Sequence, residues 1–137
     1  MRRSLRLART ARLHCRAALV LAALPLVLGR WPVQQIVQRL TPAKLPARAP
    51  WGDVERAVWA VDRLFNRRPL RHYGPCLRRS LALYYLIIHL GYPVRVALGA
   101  YPCAGGLQAH AWLTLEGRAV FEAFPVDHYA LMVEWGR

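Results

Sequence analysis

The run from Gly74 to Pro93 constrains this chain more than any other stretch. Gly74-Pro75 predicts a turn that leads into a helix, because proline lacks the N–H that a first helical turn leaves unpaired anyway. Leu77, Leu81, Tyr84, Tyr85 and Ile88 recur at helical spacing, which carries a buried face to about Leu90. Gly91 supplies the stop, and Pro93 forbids continuation. Cys76 therefore falls in the first turn, where unpaired N–H groups and the helix dipole favour negative charge. Arg78 and Arg79 add positive potential. A thiol in that setting ionises more readily, and the thiolate is the nucleophile. A small buried hydrophobe also suits a helix start, and cysteine serves well as one. The helix alone leaves both roles open.

Charge is distributed unevenly. Half of the 20 basic residues lie within residues 1–48, where there is no Asp or Glu, and all seven acids come from Asp53 onward. Such an arm suits an anionic partner: lipid headgroups, nucleic acid or an acidic peptide. A solvated arginine face explains it equally well. Nucleic acid ranks last, because no recognisable nucleic-acid module accompanies the charge. Cys15, Cys76 and Cys103 are an odd count without regular spacing, so neither a disulfide framework nor a zinc site is expected. A reducing, cytoplasmic setting fits that usage.

Taken in order, the early leucines are too scattered to define a face. Ala17 to Gly29 is then unbroken apolar sequence. A signal peptide would need a small-residue cleavage site, which is absent, and a membrane span needs about 20 apolar residues. The expectation is a helix kinked near Pro25 and packed on the following domain, with the membrane surface as second choice. Val33, Ile36, Val37 and Leu40 predict a short helix. Pro42, Pro46 and Pro50 predict an extended linker, which divides residues 1–50 from a domain over 51–137. Asp53 opens a helix over Val54–Asn66, with Val54, Val58, Val61, Leu64 and Phe65 as its buried stripe and Trp59 as core. Arg67-Arg68-Pro69 ends that helix, and a loop leads to Cys76.

Beyond the cysteine helix the period changes from helical to alternating. Val94–Leu98 reads as a strand, Tyr101–Gly106 as a loop and Leu107–Leu115 as a second strand. Gln108, His110, Trp112 and Thr114 share one face of that strand. Arg118–Phe124 reads as a third strand. Asp127–Trp135 is a tail in which Met132, Val133 and Trp135 pack on the core. The hairpin register decides which side chains meet. A two-residue turn at Glu116-Gly117 pairs Leu115 with Arg118 and sets His110 opposite Ala123. A three-residue loop pairs Thr114 with Arg118 and sets His110 opposite Glu122, with Gly117 in the left-handed position that such loops favour. In the second register a thiol, an imidazole and a carboxylate are the parts of a nucleophilic relay: the ring moves the proton and the acid orients the ring.

The order Cys76-Leu77-Arg78-Arg79-Ser80-Leu81-Ala82-Leu83, Gly91, Ala109-His110-Ala111-Trp112, Gly117 resembles the lasso peptide biosynthesis B2 proteins. These are transglutaminase-like, papain-related cysteine peptidases. The resemblance covers about Trp51 to Phe124. It implies an α+β fold, with the cysteine-bearing helix packed on a small antiparallel sheet behind an N-terminal helical segment. It implies Cys76 as nucleophile, His110 as general base and Glu122 as orienting acid, with no cofactor and no metal. The family usually has Asp at the last position, so Glu122 is a departure. Asp127 is the reserve candidate, and Glu116 reads as a loop residue. The Cys76 N–H is a candidate oxyanion donor. The implied activity is removal of the leader from a ribosomally made lasso precursor before a separate ATP-dependent cyclase closes the ring. The implied partners are that precursor, a separate leader-binding protein, the cyclase and an exporter. The alternatives are another acyltransferase or amidase of the same fold, or a non-catalytic basic protein associated with the membrane.

Overall fold

The computed structural model describes residues 2–66 and 75–137. The predicted end of the third helix at Arg67-Arg68-Pro69 and the turn at Gly74 lie outside them. Among the described residues four helices precede four strands: α1 (Arg2–Leu28), α2 (Val33–Leu40), α3 (Trp51–Phe65), α4 (Pro75–Ile88), β1 (Arg95–Cys103), β2 (Gly106–Leu115), β3 (Arg118–Val120) and β4 (Ala130–Gly136). The strands form one antiparallel sheet in the order β3-β2-β1-β4. The architecture is α+β, as the sequence predicts.

The cysteine helix is the centre of the molecule. Leu81, Ala82, Leu83, Tyr84, Leu86, Ile87 and Ile88 are all buried. A helix covered on nearly every side must be sandwiched, and α4 lies between α1 and α3 on one flank and β1 and β2 on the other. Tyr84 is fully buried, and its hydroxyl meets Thr41 Oγ1 at 2.5 Å, which ties α4 to the end of α2.

One helix spans both the basic stretch and the apolar run, with Pro25 inside its last turn. Leu13, Ala17, Leu21 and Leu24 make its buried stripe against α3 and α4. Their spacing of four, four and three is helical, and it begins before the apolar run does. The helix is thus longer than the run that suggested it. An 18-residue window has mean hydropathy 1.6, enough in length and composition to cross a membrane, and 22% of that window is buried.

Several expectations are corrected. Trp59 is 51% exposed rather than core. Its ring lies over the α1–α3 seam, edge-on to His14 at 5.1 Å. Tyr101–Cys103 belongs to β1 rather than to a loop, because Cys103 pairs with Gly106 across a turn at Ala104-Gly105. The tail is strand β4 paired with β1, in which Met132 is exposed while Trp135 packs on the core. The third strand ends at Val120, not Phe124, for a reason that shapes the site.

The predicted stop at Gly91 has φ +88°, and a Cβ there would lie 2.6 Å from the Pro46 carbonyl oxygen and 2.7 Å from that of Ala47. The proline-rich linker crosses this point and is fastened by Ala49 N–H to Leu90 O and by the Tyr92 hydroxyl to Ala49 O, both 2.8 Å. Gly91→Ala adds a left-handed penalty and a backbone clash, together about 3 kcal/mol. Thermal unfolding should show a Tm lower by about 10 °C. An unchanged Tm would mean that the linker does not seat there.

Candidate active site

The site forms where the first turn of α4 meets an edge of β2 that β3 has left. Glu116 and Gly117 have φ +52° and +77°, the pattern of a two-residue hairpin turn, and Leu115 pairs with Arg118. The three-residue register is therefore not adopted, and the ladder by itself would point His110 toward Ala123. The outcome changes at Phe121, whose φ of +62° turns the chain out of the sheet. Glu122 then swings back, and the imidazole Nε2 of His110 lies 2.9 Å from Glu122 Oε2. The pair suggested by the three-residue loop exists, made by a kink after a two-residue turn. Asp127 is exposed and has no hydrogen bond to the ring, and Glu116 is a turn residue.

Loss of β3 beyond Val120 also frees the main chain of Ala111, two residues past the last paired position of β2. Helix α4 takes up both of its groups. Ser80 Oγ donates to the Ala111 carbonyl at 3.0 Å, and the Ala111 backbone hydrogen-bonds the Cys76 sulfur. Ser80 is 1% exposed, so this bond satisfies a buried hydroxyl and fixes α4 against the strand that bears His110. A serine in an otherwise apolar helical stripe was the available signal for such a contact.

Cys76 is half-buried and hydrogen-bonded to His110. Nε2 faces Glu122, which leaves Nδ1 as the ring nitrogen available to the sulfur. The thiol's proton affinity is set by opposing effects. Burial pushes its pKa up. The His110 hydrogen bond, the Ala111 and Leu77 backbone bonds and the charge of the ring together bring it below the ordinary value of 9.0. The reciprocal effect is larger: Cys76 first, then Glu122, raise His110 to about 9 against the cost of burial. Both shifts favour the thiolate–imidazolium form of the pair over two neutral groups.

Arg79 is a further member that the sequence did not assign beyond its charge. It sits one turn after Cys76. Its Nε and Nη2 donate to Asp62 at 2.6 and 3.2 Å, its Nη2 to the Phe121 carbonyl at 2.8 Å, and its Nη1 to Glu122 Oε1 at 3.4 Å. The guanidinium thus holds the left-handed residue and the carboxylate that the kink delivers. Trp51 stacks on the Phe121 ring from the other side, with centroids 6.0 Å apart. Asp62 gave no local signal, because its partner lies in another helix. On the far side of the ring, Trp112 stacks alongside His110 at 6.0 Å. Its indole lies across Gly99, where a Cβ would be 2.6 Å from the ring.

These groups open on a cleft of about 340 Å³ whose walls, among the described residues, include Asp62, Asn66, Cys76, His110, Glu122 and Phe124. Phe124 is 80% exposed at its rim. No group of three or more His, Cys, Asp or Glu among the described residues is arranged to hold a metal ion.

A cysteine at a helix N-terminus, set against a histidine and a carboxylate on an antiparallel sheet, is an arrangement suited to covalent acyl chemistry. The family model of the transglutaminase-like superfamily matches residues 18–134, and the chain belongs to that superfamily. Its members are typically cysteine-dependent enzymes and include peptidases and acyltransferases. No curated protein and no solved structure matches the chain.

Ionisation is testable without a substrate. Cys15 and Cys103 are exposed, whereas Cys76 is half-buried, so access alone favours the other two. At pH 6–7 iodoacetamide should nevertheless modify Cys76 about tenfold faster, because a lowered pKa raises its thiolate fraction. Equal rates at the three cysteines, read by peptide mapping, would contradict the ion pair.

Proposed function

We propose that this protein is a cysteine peptidase that removes the leader from a ribosomally made lasso precursor, using Cys76, His110 and Glu122. The observation that carries the reading is the single imidazole held between the Cys76 sulfur and the Glu122 carboxylate at the mouth of the cleft. The motif order from Cys76 to Gly117, with its resemblance to the lasso B2 proteins, supports the choice of substrate.

In this reading the thiolate attacks the scissile carbonyl carbon. The carbonyl oxygen takes the negative charge and is met by the Cys76 N–H, one of the unpaired donors of the first turn of α4. Asn66, the side-chain amide in the cleft wall, is the second donor. The His110 imidazolium gives its Nδ1 proton to the leaving amine, the C–N bond breaks, and a thioester to Cys76 remains. Water then adds to the thioester as His110 takes its proton, and the C–S bond breaks to free the acid and restore the thiolate. Glu122 keeps the ring oriented and stabilises its charge throughout.

The partners in this proposal are the precursor, a separate leader-binding protein that delivers it, and the cyclase that receives the product. The site of action is the cytoplasm, with the membrane surface as a further location. The test is mass spectrometry of the precursor incubated with this protein, with and without a leader-binding partner. Cleavage into leader and core with gain of one water is the expected result. A product joined to an added amine, or loss of ammonia from a side chain without chain cleavage, would assign the same thiol chemistry to an acyltransferase or amidase instead.

A further inference from the structure

Helix α1 presents a second organised face, remote in chemistry from Cys76. On a flank of α1 about a third of a turn round from its buried stripe, Leu5, Arg9, Arg12, Arg16, Leu19, Ala23 and Leu26 follow one another at spacings of four, three, four, three, four and three. At 1.5 Å per residue this is one line about 32 Å long on one side of the helix. After Leu5 it divides into three cations and then three apolar residues. Leu19 and Leu26 are 71% and 72% exposed.

The cationic part lines a cleft. Arg9, Arg12 and Arg16 border a cavity of about 230 Å³ with Leu13, Leu90 and Asp53. Asp53 is the acid facing it, and that carboxylate is already bonded to Arg56, with Arg9 at 3.8 Å. Arg12 has no acidic partner among the described residues. Beyond the apolar part, Trp31 is 37% exposed, with the Arg39 guanidinium 4.0 Å over its ring.

We propose that this face docks on an anionic lipid bilayer, with headgroup phosphates at Arg9, Arg12 and Arg16 and with Leu19, Ala23 and Leu26 in the acyl boundary. Charge complementarity chooses the occupant, since residues 1–48 contain no acid to repel a phosphate surface. The helix lies in the interface plane rather than across it, because Leu13, Ala17, Leu21 and Leu24, a separate stripe of the same helix, belong to the protein core. A second copy does not complement the face: antiparallel pairing would set arginines on leucines, and parallel pairing would set arginines on arginines. Nucleic acid would leave the leucines in water.

Co-sedimentation of the full-length protein with vesicles tests the proposal. Binding to phosphatidylglycerol/phosphatidylcholine vesicles should exceed binding to pure phosphatidylcholine by about a hundredfold and should fall as salt rises. Arg12→Gln with Arg16→Gln should weaken it about 30-fold. Leu19→Glu with Leu26→Glu should abolish it while leaving Tm unchanged, since both side chains are exposed. Cys76→Ala should bind as the wild type does, which separates docking from the chemistry. Equal binding to the two vesicle types, or binding that survives the Leu19/Leu26 exchange, would overturn the proposal. So would a dimer in solution that the same exchange dissolves.

Discussion

Replacing Cys76 with alanine is expected to abolish precursor cleavage, with a loss on the order of 10⁶-fold, the scale for removing a nucleophile. The fold should not suffer. Cys76 is only half-buried, and alanine suits a first helical turn. The loss must therefore appear in kcat with Tm retained. His110 should respond as well. The thiolate is the first cause of its raised pKa, so in Cys76→Ala the ring should release its proton at lower pH than the wild-type value of about 9. Imidazole NMR measures that shift directly. Cleavage that persists in Cys76→Ala would remove the thiol from the reaction and leave the cleft as a binding site.

The acid should show a different pattern. Glu122→Ala removes both the orientation of the ring and its negative neighbour, and a loss on the order of 10²–10³-fold in kcat/KM is expected. Glu122→Gln keeps an oxygen to accept the Nε2 hydrogen bond and should cost only about tenfold. It should also move the pH profile. A carboxylate that raises the folded pKa of His110 keeps the imidazolium charged to higher pH, so its loss brings the alkaline limb below pH 9. Activity in the wild type should rise through the lowered pKa of Cys76 and fall near 9. If the alkaline limb does not move in Glu122→Gln, Glu122 is not the group that sets the ring. In the proposed mechanism the network around Arg79 lets glutamate stand where the resembling family usually has aspartate. A guanidinium fixed by Asp62 and the Phe121 carbonyl holds the longer side chain by its second oxygen.

Much of this molecule was legible in the chain because it is local. The helix from Pro75 is written in the spacing of Leu77, Leu81, Tyr84 and Ile88. Its start and stop are written in Pro75 and Gly91, and α2 coincides with the predicted Val33–Leu40. The position of Cys76 in a first turn follows from the same local rules. Trp59 shows the limit of such reading. A large aromatic side chain in a helix predicts burial, yet its neighbours from α1 leave half of it in solvent.

The sequence by itself determined the cysteine helix with its start and stop and the short helix α2, and it offered Cys76, His110 and Glu122 as candidates, since capping, periodicity and turn preference act over a few residues. The tertiary structure decided which of them meet. The two-residue turn at Glu116-Gly117 points the ladder away from the His110–Glu122 pairing, and only the left-handed Phe121, held by Arg79 from α4 and stacked by Trp51 from α3, brings the carboxylate to the ring. A backbone conformation that costs about 1–3 kcal/mol in isolation persists only where distant elements hold it, and no local pattern in the chain records that support.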